Sequence, residues 1–333
     1  MSKIIDIYNP YDNQFATKYY VDTVAAALEQ SGYTTCTVSS LKRQEGHDAI
    51  FVAYAYDAFR AHMHGYKKIL LWIQGVTPEE SYMRNHSKLR YWVLSMRERM
   101  GLAYANQILM VSAKMLEHYR QKYGMNLGNK TFLMPCFNTE LNRDAFHYPE
   151  KYSRQVFVYT GSLAVWQCFE PTVQLFKKLE QQIPEARLDV YTSQKEEAEA
   201  ILKQYGISNY SIDFVSPAEL GERLKSVKFG FVIREDTEVN RVATPTKIST
   251  YTANGVIPIF SQCLDDFYRQ TVGKHYFLSV GSDANNDDTL ARITALSKEE
   301  IDINALEKEY TALFDGYYCY DTYVQKLCEF INL

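Results

Sequence analysis

The sequence predicts an α/β protein built as two doubly wound, Rossmann-like domains. Short apolar runs alternate with amphipathic stretches along the chain, which is the pattern of strand–helix units on a parallel sheet. That alternation is interrupted once, by the polar, aperiodic stretch from Asn138 to Arg154, read as an interdomain linker. The length of 333 residues also favours two domains over one. In the first half, strands are expected at Ile4–Tyr8, Thr34–Val38, Ala49–Ala53, Lys68–Ile73, Ile108–Val111 and Thr131–Met134. Helical spacing of apolar residues marks Tyr19–Gln30 and Ser112–Tyr123. In the second half, strands are expected at Val156–Tyr159, Leu188–Tyr191, Ser211–Phe214, Phe229–Ile233, Val256–Phe260 and Tyr276–Val280. Helices are expected at about 169–183, 194–205, 217–226, 246–254 and 263–270, then over Ile301–Phe314 and Thr322–Phe330. The resulting division is 1–145, 146–315, and a terminal helical segment, 316–333, returning to the first domain.

Composition excludes several function classes. An apolar fraction of 46% suffices for two packed cores and excludes a mainly disordered chain. A net charge of −4, from 36 basic and 40 acidic residues, argues against a nucleic-acid binder. The run Ala49–Tyr56 is too short to span a bilayer, and no secretory leader is expected at the start, so a cytoplasmic protein is expected. The 6 cysteines form no C-x-x-C pair and read as reduced, packed thiols. Neither they nor the 7 scattered histidines predict a metal site, and Asp287-Asp288 reads as surface turn. The 27 tyrosines suit sugar stacking, interfaces and cores alike.

Three segments carry the chemistry. Val156–Phe176 (VFVYTGSLAVWQCFEPTVQLF) reads as strand, glycine turn and helix. Ile212–Ile233 (IDFVSPAELGERLKSVKFGFVI) reads as strand, loop, helix and strand. Asn240–Phe260 (NRVATPTKISTYTANGVIPIF) places Thr244-Pro245-Thr246-Lys247 at a helix start before a buried strand. Together these resemble the donor domain of GT-B glycosyltransferases of the "group 1", retaining type, the last segment resembling the variant motif of many surface-polysaccharide transferases. Ile108–Tyr119 and Phe132–Cys136 are also similar to that family. The resemblance implies a nucleotide-sugar donor bound by the second domain and an acceptor bound by the first.

Physical chemistry points the same way. A diphosphate needs backbone N–H groups at a helix N-terminus and one or more cations. Gly161 turns the chain between strand and helix and lets the backbone approach the ligand. Thr244 is expected to cap the helix, with Pro245 at its first position and the Thr246 and Lys247 amides facing the anion. Lys247 supplies a point charge; Arg241 and Arg234 supply guanidinium forks. The family pattern has arginine and lysine where this chain has Ser162 and Gln167, and glutamates where it has Val242 and Thr250. The expected replacements are Arg234, Arg241 and Lys247 for the charge, and Glu235, Asp236 or Glu238 for ribose.

The acceptor side is expected in the loop Asn9–Gln14, with Asn13, and at Gln74-Gly75, where relatives carry histidine. Gln74 cannot exchange a proton, which excludes it as a general base. Retaining chemistry needs no protein base, because the leaving phosphate takes the acceptor proton; an inverting enzyme would use Glu79, Glu80 or Asp12. Glu79-Glu80 also suits a plain helix N-terminus after Pro78. Arg84–Tyr104 reads as one basic amphipathic helix, with Leu89, Trp92, Val93, Met96 and Met100 on one face and Arg84, Lys88, Arg90, Arg97 and Arg99 around it. It suits either packing on a sheet or contact with an anionic membrane through Arg84–Arg99.

The expected function is therefore metal-independent transfer of a hexose from a UDP- or GDP-linked sugar to a glycan or lipid-linked glycan, in cell-surface polysaccharide biosynthesis, with retention. The cell's inner membrane face is the expected place of work. The alternatives are a non-catalytic GT-B-like subunit that binds a partner transferase or glycan, which the departures from the family pattern would explain, and a nucleotide-sugar epimerase of the same two-domain form, against which Gln74 argues.

Overall fold

In the computed structural model, residues 3–8 and 15–333 are described. Two compact units result: residues 1–138, 241–244 and 318–333 form the first, and 139–240 with 245–317 the second. Asp12 and Asn13 lie outside the described residues.

The first unit holds a six-stranded parallel sheet in the order β2-β1-β3-β4-β5-β6. Its strands are β1 (Lys3–Tyr8), β2 (Tyr33–Thr37), β3 (Ala49–Val52), β4 (Lys68–Ile73), β5 (Gln107–Met110) and β6 (Thr131–Leu133). The central strands read AIFV, KILLWI and QILM, continuous apolar runs, because helices cover both faces of a parallel sheet. The helices are α1 (Phe15–Gln30), α2 (Ala55–Met63), α3 (Thr77–Asn85), α4 (Lys88–Tyr104) and α5 (Ala113–Tyr123). Ser112 begins α5, accepting from the Met115 amide at 3.0 Å, and Gly124 ends it in the left-handed region.

The second unit repeats the scheme with the order β12-β11-β10-β7-β8-β9. The strands are β7 (Val156–Thr160), β8 (Arg187–Tyr191), β9 (Tyr210–Asp213), β10 (Phe229–Val232), β11 (Ile257–Ser261) and β12 (Leu278–Val280). The helices α6 (Phe169–Gln182), α7 (Lys195–Gln204), α8 (Pro217–Leu224), α9 (Glu238–Arg241), α10 (Thr246–Ala253), α11 (Asp265–Thr271), α12 (Asp287–Lys298) and α13 (Ile303–Gly316) follow in order. The last helix, α14 (Tyr320–Phe330), belongs to the first unit. There Gln107 Nε2 donates to the Phe330 carbonyl at 2.5 Å and the Tyr33 hydroxyl to that of Leu333 at 2.8 Å.

Several expectations require correction. The supposed linker is packed: Ala145, Phe146 and Lys151 are buried, Asn142 N–H donates to the Ala253 carbonyl at 2.8 Å, and Arg143 pairs with Glu307. The first boundary accordingly falls at Asn138, before residue 145. Asp287-Asp288 is not a turn but the first turn of α12, capped by Asn286, whose side chain accepts from the Thr289 amide at 2.8 Å. Thr244 does not cap α10. The helix begins at Thr246 with Pro245 in the capping position, and the Thr244 hydroxyl accepts from the Cys136 amide at 2.9 Å within the first unit. Arg84–Tyr104 is two helices: His86 takes φ 51° and ends α3, and Ser87 caps α4.

Buried lysines give the second unit a pH signature. Lys151 Nζ donates to the carbonyls of Leu224 (3.0 Å) and Asn254 (2.6 Å), and burial pushes its pKa down to about 7. Lys228 Nζ donates to the Ser297 carbonyl at 2.8 Å, and burial lowers its pKa to about 8. Unfolding restores ordinary lysine basicity, so the unfolded chain binds more protons between the folded and unfolded pKa values. Stability then rises with pH across that window. Chemical unfolding followed at pH 7 and pH 9 is expected to show the second unit more stable at the higher pH, with a smaller difference in Lys151→Met.

Candidate functional site

In the second sheet the strand order reverses between β7 and β10, the position at which open α/β sheets bind ligands beyond the strand carboxyl ends. The turn after β7 contains Gly161, at φ 102°, a value that L side chains rarely adopt. Its amide is spent on the Tyr191 carbonyl at 2.8 Å, so the residue contributes space, not a donor. A Cβ there would lie 3.0 Å from Cε and 3.4 Å from Nζ of Lys247. The glycine is thus the gap through which the α10 lysine reaches the turn.

Arg234 follows β10 and is buried. Ser261 Oγ at the end of β11 accepts from its amide at 2.8 Å, and its guanidinium donates to the Gln167 carbonyl at 2.6 Å and to the Ile233 carbonyl at 3.2 Å. The same guanidinium donates to Gln167 Oε1, and Lys247 Nζ donates to that atom too, at 2.7 Å. Lys247 Nζ also stands 4.3 Å from the centroid of the Tyr159 ring, whose hydroxyl donates to the Ser162 carbonyl at 2.7 Å. Two cations therefore converge on one neutral amide oxygen. The oxygen satisfies hydrogen bonds and leaves the charges uncompensated. Burial and then the Arg234 charge hold the Lys247 pKa well below its ordinary value, and burial lowers that of Arg234.

Gln167 is held rigidly. It ends the 3-10 turn Val165–Gln167, with its amide on the Ala164 carbonyl at 2.7 Å, and is followed by Cys168 at φ 51°, a strained value for a non-glycine residue. Cys168 Sγ accepts from the Glu235 amide at 3.3 Å, tying this turn to the chain beyond β10. The N-terminus of α6 starts here, and that of α10 one residue before Lys247, so both helix dipoles add positive potential.

The structure thus brings together Gly161, Ser162, Arg234 and Lys247. Thr246 and Thr250 share α10 with Lys247, the Thr250 hydroxyl donating to the Thr246 carbonyl at 3.0 Å. Arg241 and Thr244 belong to the first unit. On sequence alone Gln167 reads only as a lost cation; its role as shared acceptor depends on Arg234, far along the chain. A polar residue in a strand–turn–helix junction, at a site short of cations, is the available signal.

In the first unit, Gln74 and Gly75 lie between β4 and α3. A Cβ on Gly75 would meet Glu80 Oε1 at 2.2 Å, so the glycine seats that carboxylate. Burial, with the carboxylates of Glu98 and Glu79 nearby, raises the Glu80 pKa against the opposing effect of Arg84. Glu79 is differently placed: its Oε1 lies 2.7 Å from Lys122 Nζ and 3.4 Å from His118 Nε2, and accepts from the Tyr91 hydroxyl at 3.1 Å. The bonds from His118 and Lys122 outweigh burial and lower its pKa. Lys122 also pairs with the buried Glu98 at 3.1 Å, which the Tyr119 and Tyr123 hydroxyls bond at 3.1 and 2.6 Å. Glu79 is thereby part of the polar core joining α3, α4 and α5.

No family model matches the chain, and no curated protein matches it in sequence. Solved structures do. A sucrose-phosphate synthase from Thermosynechococcus elongatus aligns with a TM-score of 0.70 at 13% identity, over 98% of each chain. The UDP-forming α,α-trehalose-phosphate synthase from Burkholderia vietnamiensis aligns with a TM-score of 0.59 at 12% identity, over 96% of this chain and 78% of its own. A point mutant of S. aureus TarM, solved with fondaparinux, α-GlcNAc-glycerol and UDP, aligns with a TM-score of 0.61 at 10% identity, over 84% of this chain and 54% of its own. This chain thus spans about half the length of TarM. At these identities the likeness establishes the fold: two parallel six-stranded sheets with flanking helices, the GT-B architecture of glycosyltransferases.

Proposed function

We propose that this protein is a metal-independent glycosyltransferase that moves a hexose from a UDP- or GDP-linked donor to a glycan or lipid-linked glycan, with retention, in the cytoplasmic synthesis of a cell-surface polysaccharide. The observation that carries the reading is the convergence of Arg234 and Lys247 on Gln167 Oε1 at the point where the second sheet changes direction. A diphosphate oxygen in place of the amide oxygen would accept the same hydrogen bonds and also neutralise both cations, and charge-assisted bonds of this kind are about twice as strong as neutral ones. These side chains supply the charge that other diphosphate sites take from a metal ion. The fold neighbours that bind or form UDP support a nucleotide donor.

In the retaining reaction the leaving diphosphate, held by Arg234 and Lys247, departs with its negative charge matched and takes the acceptor proton. No side-chain base is needed. An inverting reaction would call on Glu80, the carboxylate whose raised pKa suits proton transfer. The second reading, a non-catalytic GT-B-like subunit, draws support from Thr250 and the buried Val242, which stand where relatives carry glutamates.

A thermal-shift screen with UDP, GDP, CMP and ADP separates the two. Stabilisation by UDP or GDP above that by CMP is the expected result. No shift with any nucleotide would favour the subunit.

A further inference from the structure

Helix α4 is inside out with respect to its apolar pattern. Its buried residues are Glu98, Gly101 and Leu102. Glu98 is held by Lys122, Tyr119 and Tyr123, and Gly101 packs so closely on Ala55 that a Cβ would stand 1.7 Å from the Ala55 carbonyl oxygen. With that face spent on α2 and α5, the spacing of 89, 92 and 96 turns their side chains outward. Leu89 is 75% exposed, Trp92 63% and Met96 45%. Tyr82 on α3, whose ring meets that of Tyr91, and Tyr56 on α2, whose ring meets Arg97, are exposed in the same unit. An outward aromatic and aliphatic surface on three packed helices is not core material and marks an interaction surface.

The charges say what it fits. Lys88, Arg90, Arg97 and Arg99 are exposed on α4, as are Arg84 on α3 and Arg60 on α2. The carboxylates of these helices are all withdrawn: Asp57 and Glu98 are buried, and Glu79 and Glu80 half-buried. Arg97 lies over the Tyr56 ring at 4.7 Å, so cation and aromatic form one surface. No helix among the described residues is long and apolar enough to cross a membrane.

We infer that the α2–α3–α4 face docks this protein on an anionic lipid bilayer, with Leu89, Trp92 and Met96 entering the headgroup region and the basic residues lying on the lipid phosphates. Tryptophan and tyrosine prefer that boundary, and each basic residue near the surface adds attraction that salt screens. The inference does not rest on the donor site, which lies in the other unit. It gives a reason for the apolar side chains of a charged helix to face water.

The test is co-sedimentation of the full chain with phosphatidylcholine vesicles, with and without phosphatidylglycerol, at low and high salt. Binding is expected only with phosphatidylglycerol and is expected to fall at high salt. Two surface triples, Leu89→Ser/Trp92→Ser/Met96→Ser and Lys88→Glu/Arg90→Glu/Arg99→Glu, are each expected to lose roughly tenfold or more in partitioning, with unchanged thermal unfolding. Lack of wild-type binding, or wild-type partitioning by both triples, would overturn the inference. So would concentration-dependent dimerisation abolished by the first triple without vesicle binding, which would make the face a contact between copies.

Discussion

Replacing Lys247 with alanine is expected to weaken nucleoside-diphosphate binding by about 1–3 kcal/mol, the usual cost of losing a charge-assisted hydrogen bond. The fold should survive, because among the described residues Lys247 bonds only the Gln167 side chain and a ring face, and no buried acid depends on it. Its proton linkage supplies a second signature. In the free protein burial and Arg234 depress the Lys247 pKa; a bound diphosphate raises it again. The complex therefore holds more protons than the free protein between those two pKa values. Affinity falls as pH rises through that interval, and the dependence disappears in Lys247→Ala. Calorimetric titration across neutral and mildly alkaline pH checks both effects.

Lys122→Met is expected to destabilise the first unit by about 3–5 kcal/mol, the range for removing one partner of a buried ion pair. Lys122 serves two acids, Glu79 at 2.7 Å and Glu98 at 3.1 Å, and Glu98 is only 4% exposed. Burial already raises the Glu98 pKa against the pull of Lys122, so without the lysine the Glu98 carboxyl would titrate still further above its unfolded value. A group with a raised folded pKa contributes stability at low pH and loses it as pH rises. The variant should therefore regain part of its deficit as the pH is lowered, measured by denaturant unfolding against wild type at each pH. An equal deficit at all pH values would contradict the charge explanation.

The sheets were legible because their signal is local and strong. Runs such as Lys68–Ile73 and Phe229–Val232 are apolar over a strand's length, and parallel strands buried on both faces have to be. The helices given no range from the sequence, α2 and α12, are short or carry charge where burial is decided by a distant partner; α3 is read only by its start at Glu79-Glu80. The pattern of α4 left its inward face open for the same reason: Gly101 against the Ala55 backbone and Glu98 against Lys122 outweigh Leu89 and Trp92 in choosing it.

The proposed donor site is legible in its parts and not in its arrangement. Gly161, Arg234 and Lys247 stood out as turn glycine and cations, and the structure places them together. That Gln167 would hold both cations follows only from the meeting of β7 and β10 in the sheet. Thr244 was misplaced because a T-P-T-K string satisfies every local rule for a capped helix, while its hydroxyl is taken by Cys136.

The most direct measurement is calorimetric titration of the wild-type protein with the nucleoside diphosphate that stabilises it and with the matching monophosphate. If Arg234 and Lys247 form a diphosphate site, the diphosphate binds about tenfold more tightly or better, and the preference collapses in Lys247→Ala. Equal affinity for the two nucleotides, or a preference that survives the substitution, would contradict it.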